Sequence, residues 1–232
     1  MRVCSHEPHL IVDGKYKIDI FNAYAYEYLI SKLKSSSKVL DIGCGDGDFT
    51  LGVATHNVEM VTGIDIAEKA ILQANAKLSS SNLTNCIFIS GDILSLKIED
   101  SFDFIVLNDV VEHLSDAELR VLLGRVYLLL DDKGEMIIHT PNGLALCNDT
   151  GTNLIQKIYR MYLRLFKGWR GHERTVNQLY YDQVHINVQT YAQLKKKVRE
   201  CGFRSKVFYD FKSKVPFLNQ LSSSMMIIAR KY

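Results

Sequence analysis

The 232-residue chain has no excess of charge of either sign: 28 lysines and arginines face 26 aspartates and glutamates, for a formal net charge of +2. So even a balance removes the bulk electrostatic argument for a nucleic-acid partner. Five cysteines, Cys4, Cys44, Cys86, Cys147 and Cys201, are scattered without a C-x-x-C pair. Neither a disulfide framework nor a zinc knuckle is expected, and a reducing cytoplasm suits such thiols. No apolar run approaches the roughly 20 residues needed to cross a bilayer, and the opening MRVCSHEPHL lacks the basic-then-apolar layout of a secretory signal. The expectation is a soluble, cytoplasmic protein. Internal repeats and low-complexity tracts are also missing.

What remains is the composition of an ordinary globular chain, 47% hydrophobic and 23% charged. At this length the fold should bury roughly 70% or more of the surface that its unfolded chain exposes, so one domain can hold itself together without metal or disulfide. From Lys38 to Asn142 short apolar runs alternate with longer amphipathic ones, the pattern of βαβ units and a mainly parallel sheet. Strands are read at 38–43, 60–65, 86–91, 102–109 and 135–140. A helix starts after the capping box Ser115-Asp116-Ala117-Glu118, with Leu119, Leu122, Leu123, Val126, Leu129 and Leu130 on one face, and stops at the turn Asp131-Asp132-Lys133-Gly134. A second capping box, Thr190-Tyr191-Ala192-Gln193, opens a helix running to Cys201, with Gly202 at its stop. Residues 203–211 and 224–231 read as two more strands, paired at the sheet edge.

The stretch VLDIGCGDGDFT, residues 39–50, poses the functional question. Ligands of open parallel sheets bind beyond the carboxyl ends of the strands, and this loop lies at such an end. Glycines there permit positive φ and close approach of a ligand, and the following helix N-terminus offers free N–H groups. A dinucleotide site would need G-x-G-x-x-G, but position 48 is Asp48. The spacing is G-x-G-x-G, preceded by Asp41, whose charge suits a cationic or amine-bearing ligand. Asp65 ends the next strand, where a carboxylate can take both hydroxyls of a ribose. Asp92 ends the third and could accept from an adenine amino group. The plainer alternative is that the glycines make a tight turn and Asp65 caps a helix.

The pieces DIGCGDG, GIDI, SGDIL, FDFIVLNDVVEHL and LLDDKGEMIIHTPN, in this order, resemble the class I S-adenosylmethionine-dependent methyltransferases. The resemblance spans Lys38 to Asn142 and resumes in VHINVQTYAQLKKKVRECGF. It implies a Rossmann-like, seven-stranded, mostly parallel α/β sheet and S-adenosyl-L-methionine as cofactor. By position it implies Asp41, Gly43, Gly45 and Gly47 at the methionine end. Asp65 and Ile66 would meet ribose and adenine, Asp92 and Ile93 would flank the adenine, and Asn108 and Asp109 would floor the site beside the methyl group.

In such a transfer the cofactor supplies the reactive group and the protein supplies position, so a general base adds a smaller factor of about 10²–10⁴. In NDVVEHL, Asp109, Glu112 and His113 stand at i, i+3 and i+4 and could face one way on a helical turn. That grouping permits His113 as base, with His185 as a second candidate, or a divalent cation held by the three with His185. Methyltransferases of ubiquinone biosynthesis and of small-RNA 2′-O-methylation look similar here. The chain departs from their E-x-x-E-H by having Asp109 first, which shortens the reach, and no metal is expected.

Residues 143–189 form too long a connection to be plain and are read as a lid or acceptor-recognition insertion. Within it LIQKIYRMYLRLFKGWR, 154–170, has the pattern of a basic amphipathic helix, able to lie on an anionic membrane or to close over an apolar acceptor; a packed lid helix with a solvated basic face is the plainer reading. The organisation expected is an N-terminal cap helix region over 1–37, carrying Tyr16, Phe21, Tyr24, Tyr26 and Tyr28. A cofactor-binding core over 38–142, the insertion over 143–189, and a helix with an edge hairpin over 190–232 follow. The function expected is methylation, at oxygen, of a small or lipid-like acceptor. A metal-assisted RNA 2′-O-methyltransferase and a non-catalytic binding protein of the same fold are the alternatives, with nucleic acid disfavoured by charge and oligomeric state undetermined.

Overall fold

The structure is a computed structural model that describes residues 9–19, 22–143, 185–209 and 224–232. The insertion expected at 143–189, the basic helix at 154–170 and Phe21 fall almost wholly outside the described residues. Among the described residues there are fourteen strands and helices and one short 3₁₀ turn.

The first two are a surprise. Strands β1 (His9–Val12) and β2 (Tyr16–Asp19) pair antiparallel, where a continuous helix with Tyr16 on it was expected. The reason is local: Asp13 and Gly14 both take positive φ, 52° and 66°, the backbone of a tight hairpin. Only then does helix α1 (Ala23–Ile30) begin, burying Ala23, Ala25, Tyr26 and Leu29.

Strands β3 (Lys38–Ile42), β4 (Met60–Asp65), β5 (Cys86–Ser90), β6 (Phe102–Asn108) and β7 (Leu130–Pro141) run parallel, and the helices α2 (Asp48–Ala54), α3 (Glu68–Ser79) and α4 (Asp116–Leu129) connect them. Helix α5 (Tyr191–Glu200) precedes β8 (Phe203–Tyr209), and β9 (Ser224–Lys231) lies antiparallel between β7 and β8. The sheet order is β5-β4-β3-β6-β7-β9-β8. It reverses between β3 and β6, which places the crevice at the tips of those strands.

Both capping boxes form as expected, Ser115 with Glu118 and Thr190 with Gln193. The expected turn at 131–134 does not stand apart. Strand β7 already begins at Leu130, opposite Phe102, and an irregularity in the register between Phe102 and Phe104 absorbs the extra residues.

Each sheet face has its own core. Leu40, Ile42, Leu107, Ile138 and Ile227 turn toward Leu119, Leu122, Leu123 and Val126 of α4 and Leu194 and Val198 of α5. Val39, Val61, Val106 and Ile137 turn the other way, toward Leu51 and Val53 of α2, Tyr26 and Leu29 of α1, and Ile18 of the hairpin. Near-continuous apolar strands are what a sheet covered on both faces requires. Alternation along β3, β6 and β7 therefore decides which face the first polar residue beyond each core strand joins: Asp41 and His139 follow the α1 and α2 face, while Thr140 follows the α4 face. No helix among the described residues is long and apolar enough to cross a membrane.

Candidate active site

The loop after β3 is shaped by its three glycines. Gly43, Gly45 and Gly47 have φ of 76°, 54° and 84°. A Cβ on Gly43 would lie 2.5 Å from a methyl of Val110, and one on Gly47 would lie 2.7 Å from the Phe88 ring and 2.8 Å from the Ala74 methyl. A Cβ on Gly45 would meet nothing within 4 Å. Two glycines thus let the loop press onto the sheet, and the third presents bare backbone to open space. That is a cradle a ligand can enter.

Asp65 fixes the cradle from the neighbouring strand. Its carboxylate accepts from the backbone N–H of Gly45 and of Ala67, each at 2.8 Å. Two N–H groups leave the remaining carboxylate lone pairs for a diol. Beside it Ile66 is 74% exposed, an apolar side chain just beyond the tip of β4. Asp92 accepts from the Leu94 N–H at 2.9 Å in the turn after β5, with Ile93 half-buried next to it.

Asp41 lies deeper than its neighbours. It is 2% exposed, beneath the loop, and accepts from the Thr50 hydroxyl at 2.6 Å. Burial pushes its carboxyl up to about 7, the Thr50 hydrogen bond opposes this, and the charge of Asp65 adds to it. A positive group arriving above the loop would favour the ionised form.

The tip of β6 departs from the helical turn expected there. Asp109 takes φ of 52°, and only Val111–His113 form a short 3₁₀ turn. Asp109, Glu112 and His113 consequently do not face one way. The Asp109 carboxylate turns toward α1 and β7: Asn22 Nδ2 donates to Oδ2 at 3.1 Å, and His139 Nδ1 lies 3.0 Å from Oδ1. Partial burial works against the charge, but the hydrogen bond and charge of His139 and the Asn22 amide hold this carboxyl below the ordinary range. The Asn108 amide is buried, with no hydrogen-bond partner among the described residues.

Glu112 turns to the other face. It is fully buried, accepts from the Thr140 hydroxyl at 3.0 Å, and its Oε1 lies 4.0 Å from His185 Nε2. Burial, and next the charge of Asp109, push its carboxyl up to about 7. The rings of His113 and His185 lie 4.7 Å apart between centroids, and one ligand atom from each of Glu112, His113 and His185 falls within 4.8 Å of the others. The chain returns His185 to this point by pairing the Asn187 N–H with the Glu112 carbonyl at 2.9 Å and the Asn187 amide with the Leu114 carbonyl at 2.7 Å.

Of the residues singled out in the sequence, Asp65 is tied to Gly45 and Gly43 lies against Val110; Glu112, His113 and His185 cluster together, and Asp109 is directed instead to Asn22 and His139. Sequence reasoning did not single out Asn22, Thr50, His139 or Thr140: Thr50 reaches Asp41 from α2, His139 and Thr140 are aimed by alternation near the end of β7, and Asn22 enters at the start of α1.

A family model described as a methyltransferase domain matches residues 33–199. The chain belongs to that family, the class I S-adenosylmethionine-dependent methyltransferases, whose cofactor is S-adenosylmethionine. It is 29% identical over 155 residues to an uncharacterised RNA methyltransferase of Clostridium acetobutylicum, covering 61% of this chain and 32% of that protein. It is 27% identical over 138 residues to a demethylmenaquinone methyltransferase of Staphylococcus aureus, covering 58% of this chain and 52% of that protein. The chain therefore spans between a third and about half of the length of these relatives. Among solved structures, magnesium protoporphyrin IX methyltransferase from Synechocystis with bound SAH superposes with a TM-score of 0.57 at 18% identity, covering 90% of this chain and 81% of that one.

The cradle above Gly45, the doubly held Asp65 and the exposed Ile66 fit that cofactor. When bound, it supplies an electrophilic methyl group; the protein supplies its position.

Proposed function

We propose that the protein transfers a methyl group from S-adenosylmethionine to an oxygen of a small or lipid-like acceptor. The observation that carries this reading is a pair of carboxylates at one strand tip pushed in opposite directions. Asp109 is held ionised, and Glu112 is raised to about 7 behind two imidazoles. Environments that drive neighbouring groups apart in this way divide an acid or base role from a fixed charge.

In this reading the cofactor lies across Gly43, Gly45 and Gly47 with its ribose on Asp65. Its adenine rests between Ile66 and the Asp92-Ile93 turn, and its methyl end faces Asn108 and Asp109. His113, the exposed ring of the imidazole pair, meets the acceptor hydroxyl and takes its proton on a ring nitrogen as the oxygen attacks. His185 packs behind it, and Glu112 sets the orientation of His185 and offsets the positive charge that the proton brings. Asn187 keeps His185 within reach. Small-molecule acceptors are supported by the name of the staphylococcal relative, and a charge of +2 offers little for nucleic acid.

The test is turnover on a panel of demethylated quinols, phenols and glycosides. The His113→Asn and Glu112→Gln variants should lower the rate by about 10²–10⁴ and about tenfold or more respectively, with cofactor affinity unchanged. Wild-type rates in either variant remove these residues from the chemistry.

A second reading has one observation in its favour. Glu112, His113 and His185 could hold a divalent cation, an N₂O donor set that suits zinc, iron or manganese better than magnesium. Asp109, expected as a fourth ligand, is engaged with Asn22 and His139 instead. Such an ion would supply Lewis acidity for an RNA 2′-hydroxyl, and the clostridial relative is named as an uncharacterised RNA methyltransferase. Methylation of short RNA that stops with EDTA and returns with manganese is the expected result; activity undiminished by EDTA removes the metal.

A further inference from the structure

We infer that His139 and Asn22 are positioning residues for methyl transfer, which together aim the Asp109 carboxylate at the sulfonium end of the cofactor. The inference rests on the placement of the methyl end beside Asp109 proposed above. It concerns two residues that belong to no motif of the glycine loop or the NDVVEHL stretch.

Asp109 is one of two non-glycine residues among those described with positive φ, at 52°. The left-handed region costs an L-residue roughly 1 kcal/mol or more and persists where the surroundings over-determine it. Three contacts do so here. The Asp109 N–H donates to the His139 carbonyl at 3.0 Å. The side chain of the same histidine meets Oδ1 at 3.0 Å, and Asn22 donates to Oδ2 at 3.1 Å. One residue of β7 therefore holds both the main chain and the side chain of Asp109, and the start of α1 holds the second oxygen.

Burial then divides the roles. His139 is 1% exposed, sealed between β6, β9 and the α1 face, so it cannot itself touch an acceptor. The Asp109 side chain is 41% exposed. The buried imidazole faces inward and the carboxylate that it grips faces the crevice. A carboxylate held by two donors from opposite sides keeps its charge and cannot rotate toward Glu112, which matches its absence from the Glu112, His113 and His185 cluster. A fixed anion there favours a positively charged sulfonium over the neutral thioether that remains after transfer. Asn22 adds a structural condition: the site has its full grip on Asp109 only when the start of α1 is docked.

This predicts a difference measurable without any acceptor. Calorimetry would compare the affinities of the intact protein for S-adenosylmethionine and S-adenosylhomocysteine. In His139→Leu the preference for the sulfonium should fall about fivefold to tenfold, the scale of one partly screened charge contact, with affinity for the thioether little changed. His139→Asn, whose amide can donate from the position of Nδ1, should restore most of the preference. Asn22→Ala should lower it by a smaller factor. A residue that only supports folding would weaken both ligands together, so the ratio isolates positioning. An unchanged ratio in His139→Leu and Asn22→Ala, with thioether binding intact, overturns the inference. Should His139→Leu fail to fold, Asn22→Ala and His139→Asn decide by the same ratio. If the wild-type protein binds neither ligand, the cofactor placement itself falls and this inference with it; binding of both with no shift in the ratio refutes the inference alone.

Discussion

In the site proposed above, Asp41 should make cofactor binding depend on pH. The carboxyl is 2% exposed, and burial raises it from 3.8 to about 7. At 1.36 kcal/mol per pH unit, holding it ionised at pH 8 in the ligand-free protein costs up to about 4 kcal/mol relative to the unfolded chain. Because the folded value lies above the unfolded one, this residue lowers stability progressively as pH rises from about 4 to 7 and adds no further change above that. The positive amino group of S-adenosylmethionine, seated over Gly43 and Gly45, would be drawn to the ionised form. Below pH 7 the binding-competent fraction falls by a factor of ten per pH unit, so affinity should drop about tenfold, or 1.4 kcal/mol, for each unit between pH 7 and 5.5. Isothermal titration calorimetry in buffers of different ionisation enthalpy would also detect the proton released on binding. Asp41→Asn should flatten the pH profile, weaken binding at pH 8, and raise the melting temperature there, despite a Thr50 contact now made to an amide. A slope near zero in the wild-type protein, or the same slope in Asp41→Asn, refutes the link between Asp41 and the cofactor.

Two further outcomes are expected. Gly47→Ala places a methyl 2.7 Å from Phe88 and 2.8 Å from Ala74 on backbone at φ of 84°, so urea unfolding should show a loss of about 2 kcal/mol or more; a smaller loss would mean that the loop yields easily. Asp65→Ala removes the anchor of the Gly45 and Ala67 N–H groups as well as the expected ribose contact. Cofactor affinity should fall by about 1–3 kcal/mol in calorimetry, and an unchanged value would take Asp65 out of the site.

The parts of this fold that can be read from sequence are those whose signals are local. Ser115 and Thr190 announce their helices because each cap and its partner lie three residues apart. Gly43, Gly45 and Gly47 announce the loop because positive φ has few other occupants. The N-terminal hairpin carried a signal of the same kind in Asp13-Gly14, between HLIV and YKID, but the run of tyrosines after it suggested a helix. The geometry at Asp109 had no such signal. Helical spacing grouped it with Glu112 and His113, whereas His139, 30 residues on, and Asn22, 87 residues back, pull its side chain to the opposite face of the sheet. Glu112 meets His185 for a similar reason, a return of the chain that no periodicity encodes.

The place of β9 has a consequence for how the molecule assembles. Residues 224–231 slot between β7 and β8, so β8 has no hydrogen-bonded neighbour in the sheet until that late segment arrives. During synthesis five parallel strands can zip together while the Phe203–Tyr209 segment waits. A ribosome-stalled chain ending before Ser224 should therefore protect the amides of β3 to β6 from exchange and leave those of β8 open.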